Sequence, residues 1–214
     1  MVKRNKITTV SFDVDGTLVS PAFADLIWLE VLPQMVSDSW KIGLDEAKSK
    51  LFADFESVGY QRIEWYDLQY WLKRYRIDIN ARNLVLQYKS AVTFYPEVID
   101  VLKKLKEQYD LIVISNSTRL FLDVTTDGLK PYFKRVVSTI SDLGTMKDTE
   151  AYLSVSKMLG VNPYEIAHVG DNMTLDYIRA KKAGLRAFYL DRTGHGGRSR
   201  RFVRDLREFA MRIA

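Results

Sequence analysis

No cysteine occurs among the 214 residues. Disulfides, thiolate metal sites and a cysteine nucleophile are therefore excluded. An apolar run of membrane-span length is also missing. The basic opening MVKRNK is not followed by the apolar stretch of a signal peptide. A cytoplasmic protein with no membrane partner is the expectation. Internal repeats and low-complexity tracts are lacking too. Outside residues 192–214 there is no excess charge: seven arginines against Asp205 and Glu208 in that tail account for the whole net charge of +5. The basic signal is local and does not describe the protein. A nucleic-acid-binding module would need a basic face with stacking aromatics. The tail offers only Phe202 and Phe209, both at helical core spacing, so nucleic acid is an unfavoured partner.

What is present is an ordinary globular composition, 47% hydrophobic and 28% charged. The length suits one domain with a large insertion, or two small ones. Short apolar runs at Ile7–Phe12, Leu111–Ile114, Val136–Ile140, Ile166–Val169 and Arg186–Leu190 suit strands buried on both faces. Helical patterns lie between the later runs. Pro96 fits the first turn of a helix reaching Gln108, and Gly160 and Gly184 fit helix stops. This alternation predicts an α/β fold, a three-layer Rossmann-like parallel sheet. Residues 20–92 break the alternation. They carry helical periodicity only, near 22–32, 44–57, 61–76 and 81–91, with Pro33, Gly43 and Gly59 as punctuation. The expected division is a core of residues 1–19 and 93–214 with an inserted helical domain of residues 20–92. In 61–76, Trp65, Leu68, Trp71, Leu72 and Tyr75 share one helical face, which predicts packing within the insertion. Ile63, Tyr66 and Tyr70 share the other, which predicts contact with the sheet-bearing core. Residues 200–214 read as an amphipathic helix docking through Phe202, Val203, Leu206, Phe209, Ala210 and Ile213.

Ligands of open parallel sheets bind at the carboxyl ends of the strands, and polar residues cluster at those ends here. Asp13 and Asp15 follow the first strand, and Gly16 allows a sharp turn. Two carboxylates this close repel unless a cation joins them, and Mg²⁺ takes one or two carboxylates together with phosphate oxygens. An N-capping turn is the bland alternative for this pair. Ser115 and Asn116 follow another strand, where a hydroxyl and backbone N–H groups suit a phosphate oxygen. Lys147 would balance charge among the carboxylates and hold an anion. Asp171 and Asp176 follow the Ile166–Val169 run. His168 reads as a satisfied core histidine, His195 as part of a connecting loop, and Asp191 as a turn residue.

Together these segments resemble the haloacid dehalogenase superfamily, whose motifs DxDxT, Ser/Thr, Lys and GDxxxxD occur in family order as Asp13–Thr17, Ser115, Lys147 and Gly170–Asp176. The resemblance implies a C1-type cap for the helical insertion. It implies Asp13 as nucleophile and Asp15 as general acid and base. Mg²⁺ would be held by Asp13, Asp171 and the Asp15 backbone carbonyl. Ser115, Asn116 and Lys147 would hold phosphate, supported by Thr17 and Asp176. The implied partner is a small phosphorylated metabolite. Asp148 and Leu175 depart from the usual Pro and Asn of these motifs. The chemistry is coherent by itself: a carboxylate attacking a phosphate needs its repulsion cancelled, and a leaving alkoxide needs an acid. Halide displacement from carbon needs no such acid, so Asp15 favours phosphoryl transfer. A mutase would use the same groups.

Overall fold

The computed structural model describes residues 6–195, 197 and 199–214. Six parallel strands form one sheet in the order β3-β2-β1-β4-β5-β6. They are β1 (Thr9–Phe12), β2 (Asp110–Ser115), β3 (Arg135–Ser138), β4 (Ile166–Gly170), β5 (Arg186–Leu190) and β6 (Phe202–Val203). β1 is fully buried, as a central strand covered on both faces must be. Phe12 pairs with Val113 on one side and with Val169 on the other. The strand order turns back on itself at β1, so the carboxyl ends of β1, β2 and β4 open around one crevice. Among the described residues, no helix is long and apolar enough to cross a membrane.

Two apolar layers sandwich the sheet. On one face Val10 and Phe12 pack with Leu102, Leu206 and Phe209, where Phe209 meets Phe12 edge-on at 5.9 Å. On the other, Ile112 and Ile114 pack with Tyr152, Val155 and Ala180. A third core lies wholly among helices: Phe23, Ile27, Leu51, Trp71 and Val85 cluster with Phe121 and Val124, which stand on the helix after β2 (Arg119–Thr125). The two chain segments that join this helical part to the sheet run side by side. Ser20 N–H donates to Thr93 O at 2.8 Å, and Tyr95 N–H to Leu18 O at 3.2 Å.

Local structure departs from simple periodicity in three places. The first helix does not stop at Pro33. It runs over 22–40, with a π-helical middle at Leu26–Val31, where Leu32 N–H donates to Ile27 O five residues back. The widened turn precedes a proline that cannot donate to the carbonyl of Leu29, so the helix continues without a straight clash. The expected helix 61–76 is two pieces, a 3₁₀ turn Ile63–Tyr66 and an α-helix Leu68–Arg74. Asp67 sits between them as an N-cap and accepts from Gln69 N–H at 2.9 Å. Its extended backbone resets the helical phase. Trp65 therefore leaves the Trp71 face and lines the catalytic crevice with Tyr66, while Tyr70 packs on Trp71 at 5.1 Å and faces away from that crevice. Finally, Phe202 and Val203 form β6 at the sheet edge, and the last helix is Leu206–Ile213, capped by Asp205.

Candidate active site

Asp13 leaves β1 with its N–H on Val169 O at 3.0 Å, which holds the carboxylate over the crevice. The following loop folds on itself: the N–H groups of Thr17, Leu18 and Val19 all point to Val14 O, at 3.1, 2.8 and 3.0 Å. Gly16 has φ +74°, and a Cβ there would stand 2.0 Å from Asp171 Oδ2. Glycine is thus required by backbone conformation and by the close approach of β4's carboxylate. Asp15 turns the other way, and its Oδ2 accepts from Ser117 Oγ at 2.5 Å.

Lys147 is the hub. Its side chain is 2% exposed, and its Nζ lies 2.6 Å from Asp13 Oδ1 and 2.5 Å from Asp176 Oδ1. Burial opposes its charge, but the two carboxylates outweigh that and hold its pKa above the usual lysine value. The backbone around it is fixed as well. Lys147 N–H donates to Asn116 Oδ1 at 2.7 Å, and Thr139 Oγ1 donates to the same atom at 2.8 Å. Asp148, in the place of the usual proline, caps the helix Thr149–Leu159 by accepting from Ala151 N–H at 2.8 Å. The departure from the motif thus has a structural function: it starts the helix that follows the lysine.

Asp176 is fully buried and its oxygens are committed. Oδ2 accepts from Asn172 N–H at 3.0 Å, and Oδ1 meets Lys147 and, at 3.1 Å, His168 Nε2. Burial alone would raise its pKa, yet Lys147 and His168 together hold it well below the carboxylate range. His168, bonded at Nδ1 to Ser11 Oγ at 2.6 Å, is a buried support of this site, and its pKa is lowered by burial. Tyr152 completes the arrangement. Its hydroxyl donates to Leu175 O and lies 3.0 Å from His168 Nε2. Close packing reaches the backbone: a Cβ on Gly170 would lie 2.3 Å from Asp176 Cγ.

Asp13, Asp171 and Asp176 each place a carboxylate oxygen within 4.8 Å of the others. Asp176 is satisfied by Lys147, His168 and Asn172, so the carboxylates left for a cation are Asp13 and Asp171. Both have carboxyls raised above the usual range, first by burial. Asp13 is raised to about 8 by burial, with Asp176 and Asp171 adding to the rise and Lys147 opposing it. Asp171, the most open of the three, is raised to about 6 by burial and by Asp176. Asp15 is raised as well, by burial, against the opposing bond from Ser117. A divalent cation and one proton on Asp15 would bring four carboxylates and one ammonium to neutrality. Hard oxygen donors with little else suit Mg²⁺, so the residues fit the ion.

Ser115 and Asn116 are buried at the carboxyl end of β2. Both lone-pair sites of Asn116 Oδ1 are taken, and its buried Nδ2 has no hydrogen-bond partner among the described residues. The Tyr66 hydroxyl lies near enough to sense this amide, and a buried donor without a geometric hydrogen bond is what an anionic oxygen would satisfy. Thr17 is buried, and its Oγ1 likewise lacks a partner. Arg192, just past β5, was missed among the tail arginines. Its Nε reaches Gly16 O at 3.1 Å, its Nη2 reaches Thr17 O at 2.7 Å, and its Nη1 reaches Glu97 Oε1 at 2.8 Å. It also stacks over Tyr95 at 3.6 Å. It clamps the loop that carries Asp13 and Asp15. One arginine among seven carries no local sequence signal for this role.

Comparison with known proteins agrees with this architecture. Residues 7–184 match the model of the haloacid dehalogenase-like hydrolase family. The chain belongs to that family and is a hydrolase. The crystal structure of a HAD phosphatase from Thermococcus onnurineus superposes with a TM-score of 0.84 at 26% identity, covering 95% of this chain and 96% of the other. An L-2-haloacid dehalogenase from Xanthobacter autotrophicus, at 18% identity and TM-score 0.62 over 96% and 97% of the two chains, shares the fold alone. GMP/IMP nucleotidase YrfG of Escherichia coli K12 is 22% identical over 169 residues, 78% of this chain and 75% of that protein. Phosphoglycolate phosphatase 1 of Pseudomonas aeruginosa is 34% identical over 95 residues, 43% and 35% of the two chains.

Proposed function

We propose that this hydrolase is a Mg²⁺-dependent phosphatase that removes phosphate from a small phosphate monoester through an aspartyl-phosphate on Asp13. The observation that carries the reading is Asp15. It stands two residues from Asp13, held by Ser117, with a pKa raised by burial. A carboxyl that burial helps to hold a proton, beside a nucleophilic carboxylate, suits an oxygen leaving group and has no use in displacing halide. The relatives named for nucleotide and phosphoglycolate hydrolysis support the same reaction class.

Asp13 would attack phosphorus in line. Lys147 Nζ and Asn116 Nδ2 would take the transferring oxygens, with Ser115 beside them. Asp15 would give its proton to the leaving alkoxide, and the resulting carboxylate would take one from the water that hydrolyses the acyl phosphate. Asp13, Asp171 and the Asp15 carbonyl would hold Mg²⁺, which would supply positive charge that keeps Asp13 ionised and offsets its repulsion from phosphate. The alternatives on this fold are a dehalogenase, which Asp15 disfavours, and a mutase, which would use the same groups.

The test is turnover of a panel of phosphate monoesters with Mg²⁺ and with chelator, for the native enzyme and Asp13→Asn. Phosphate release that needs Mg²⁺ and disappears in the variant, with an unchanged melting temperature, is the expected result. Residual activity near that of the native enzyme in Asp13→Asn removes Asp13 from its role.

A further inference from the structure

The crevice above Asp13 encloses about 990 Å³, at the large end of the range for drug-sized ligands. A phosphoryl group fills a small part of it. The rest is walled by a continuous strip of rings. Phe121 lies nearly parallel to Trp28, with centroids 5.5 Å apart and 12° between planes. Phe55 stands edge-on to Trp28 at 6.1 Å, Trp65 tilts against Phe55 at 6.3 Å, and Tyr66 stands edge-on to Trp65 at 4.8 Å. All five line the crevice, and all but Phe121 keep part of their surface open. The strip begins at the chemistry, because the Tyr66 hydroxyl feels the charges of Lys147 and Asp13 and the amide of Asn116. From there it leads away across the helical part.

Beyond the phosphate end, the lining carries charges of both signs. Arg192 spends its donors on Gly16, Thr17 and Glu97, whereas Arg179 gives only Nη1, to Lys147 O at 3.3 Å. Asp25 adds negative charge near enough to Asp15 to help raise its pKa. A wall of open rings is suited to a flat, uncharged partner. We infer that the crevice selects phosphate esters whose alcohol carries a neutral heteroaromatic ring, the chemistry of a nucleoside monophosphate. The inference rests on the phosphatase reading and extends it to the leaving group.

Base–aromatic stacking contributes about 1–3 kcal/mol per base, or about 5- to 150-fold. The measurement is kcat/KM for inosine 5′-monophosphate, ribose 5-phosphate and 2-phosphoglycolate with the native enzyme in Mg²⁺. The nucleotide should exceed ribose 5-phosphate by that factor, and 2-phosphoglycolate should be poorer still. Trp65→Ala and Trp28→Ala should shrink the nucleotide-to-ribose ratio, mainly through KM. Equal kcat/KM for nucleotide and ribose phosphate, or a preference for 2-phosphoglycolate, overturns the inference even while phosphatase activity stands. Should no ester be hydrolysed, the phosphatase reading fails. Tryptophan fluorescence then decides the binding question without catalysis or variants. Saturable quenching by inosine 5′-monophosphate but not by ribose 5-phosphate supports the aromatic site, and no quenching by either refutes it.

Discussion

Replacing Lys147 by methionine isolates the electrostatic core of the site. Methionine keeps most of the length and volume but removes the ammonium that lies 2.6 Å from Asp13 and 2.5 Å from Asp176. Asp176 is fully buried and would keep His168, the Asn172 N–H and, at 3.5 Å, the Tyr152 hydroxyl as its close partners. A carboxylate so placed retains a proton in the folded state, which it gives up in the unfolded chain above a pKa of about 3.9. The sign follows from linkage: the folded state then binds more protons than the unfolded one, so stability falls as pH rises. One retained proton costs about 1.4 kcal/mol per pH unit. Between pH 5 and pH 8 the native protein and the variant should therefore diverge by about 4 kcal/mol. That agrees with the roughly 3–5 kcal/mol lost when a buried ion pair is broken from one side. Asp13, already raised to about 8 in the metal-free protein, titrates in both proteins and largely cancels. The assay is urea unfolding in excess chelator at pH 5, 6.5 and 8, followed by tryptophan fluorescence and circular dichroism. A divergence that starts only above pH 6.5 would place the retained proton on His168. A constant offset at all three pH values would refute the reasoning.

Asp15→Ala should slow turnover by about two to four orders of magnitude for alkyl phosphates and much less for p-nitrophenyl phosphate, whose leaving group needs no acid; equal losses would remove the acid role. Mg²⁺ should raise the melting temperature more at pH 8 than at pH 6. Asp13 and Asp171 must shed protons held up to about 8 and about 6 before they can bind a cation, and a pH-independent shift would contradict that site. Arg192→Met should leave Glu97, 4% exposed, without its partner. Adding Glu97→Gln should recover part of the lost stability, since a buried charge without its partner costs more than a missing pair. The two variants should share a lower kcat, because both free the loop carbonyls of Gly16 and Thr17. An unchanged kcat would mean that the clamp is structural only.

The α/β class was legible in the amino-acid order, because short apolar runs alternating with helical stretches have few other solutions than a covered parallel sheet. That order also marked Asp13, Asp15, Ser115, Asn116, Lys147, Asp171 and Asp176, since polar residues just past buried strands stand out against the apolar runs before them. Helical periodicity did less well in 61–76. Asp67 caps a new helix within a stretch whose apolar spacing reads as continuous, so periodicity alone puts Trp65 on the Trp71 face, which it leaves in the structure. Phe202 and Val203 fit a helical stripe equally well and became an edge strand, because Tyr189 and Leu190 offered them hydrogen-bonding partners. Only the tertiary structure could decide such matters. It set Asp176 rather than solvent beside Lys147, joined His168 and Tyr152 behind it, and brought Arg192 across 175 residues to Thr17. Each depends on where distant strand ends meet, and parallel strands are brought together through long crossovers whose register no local pattern encodes.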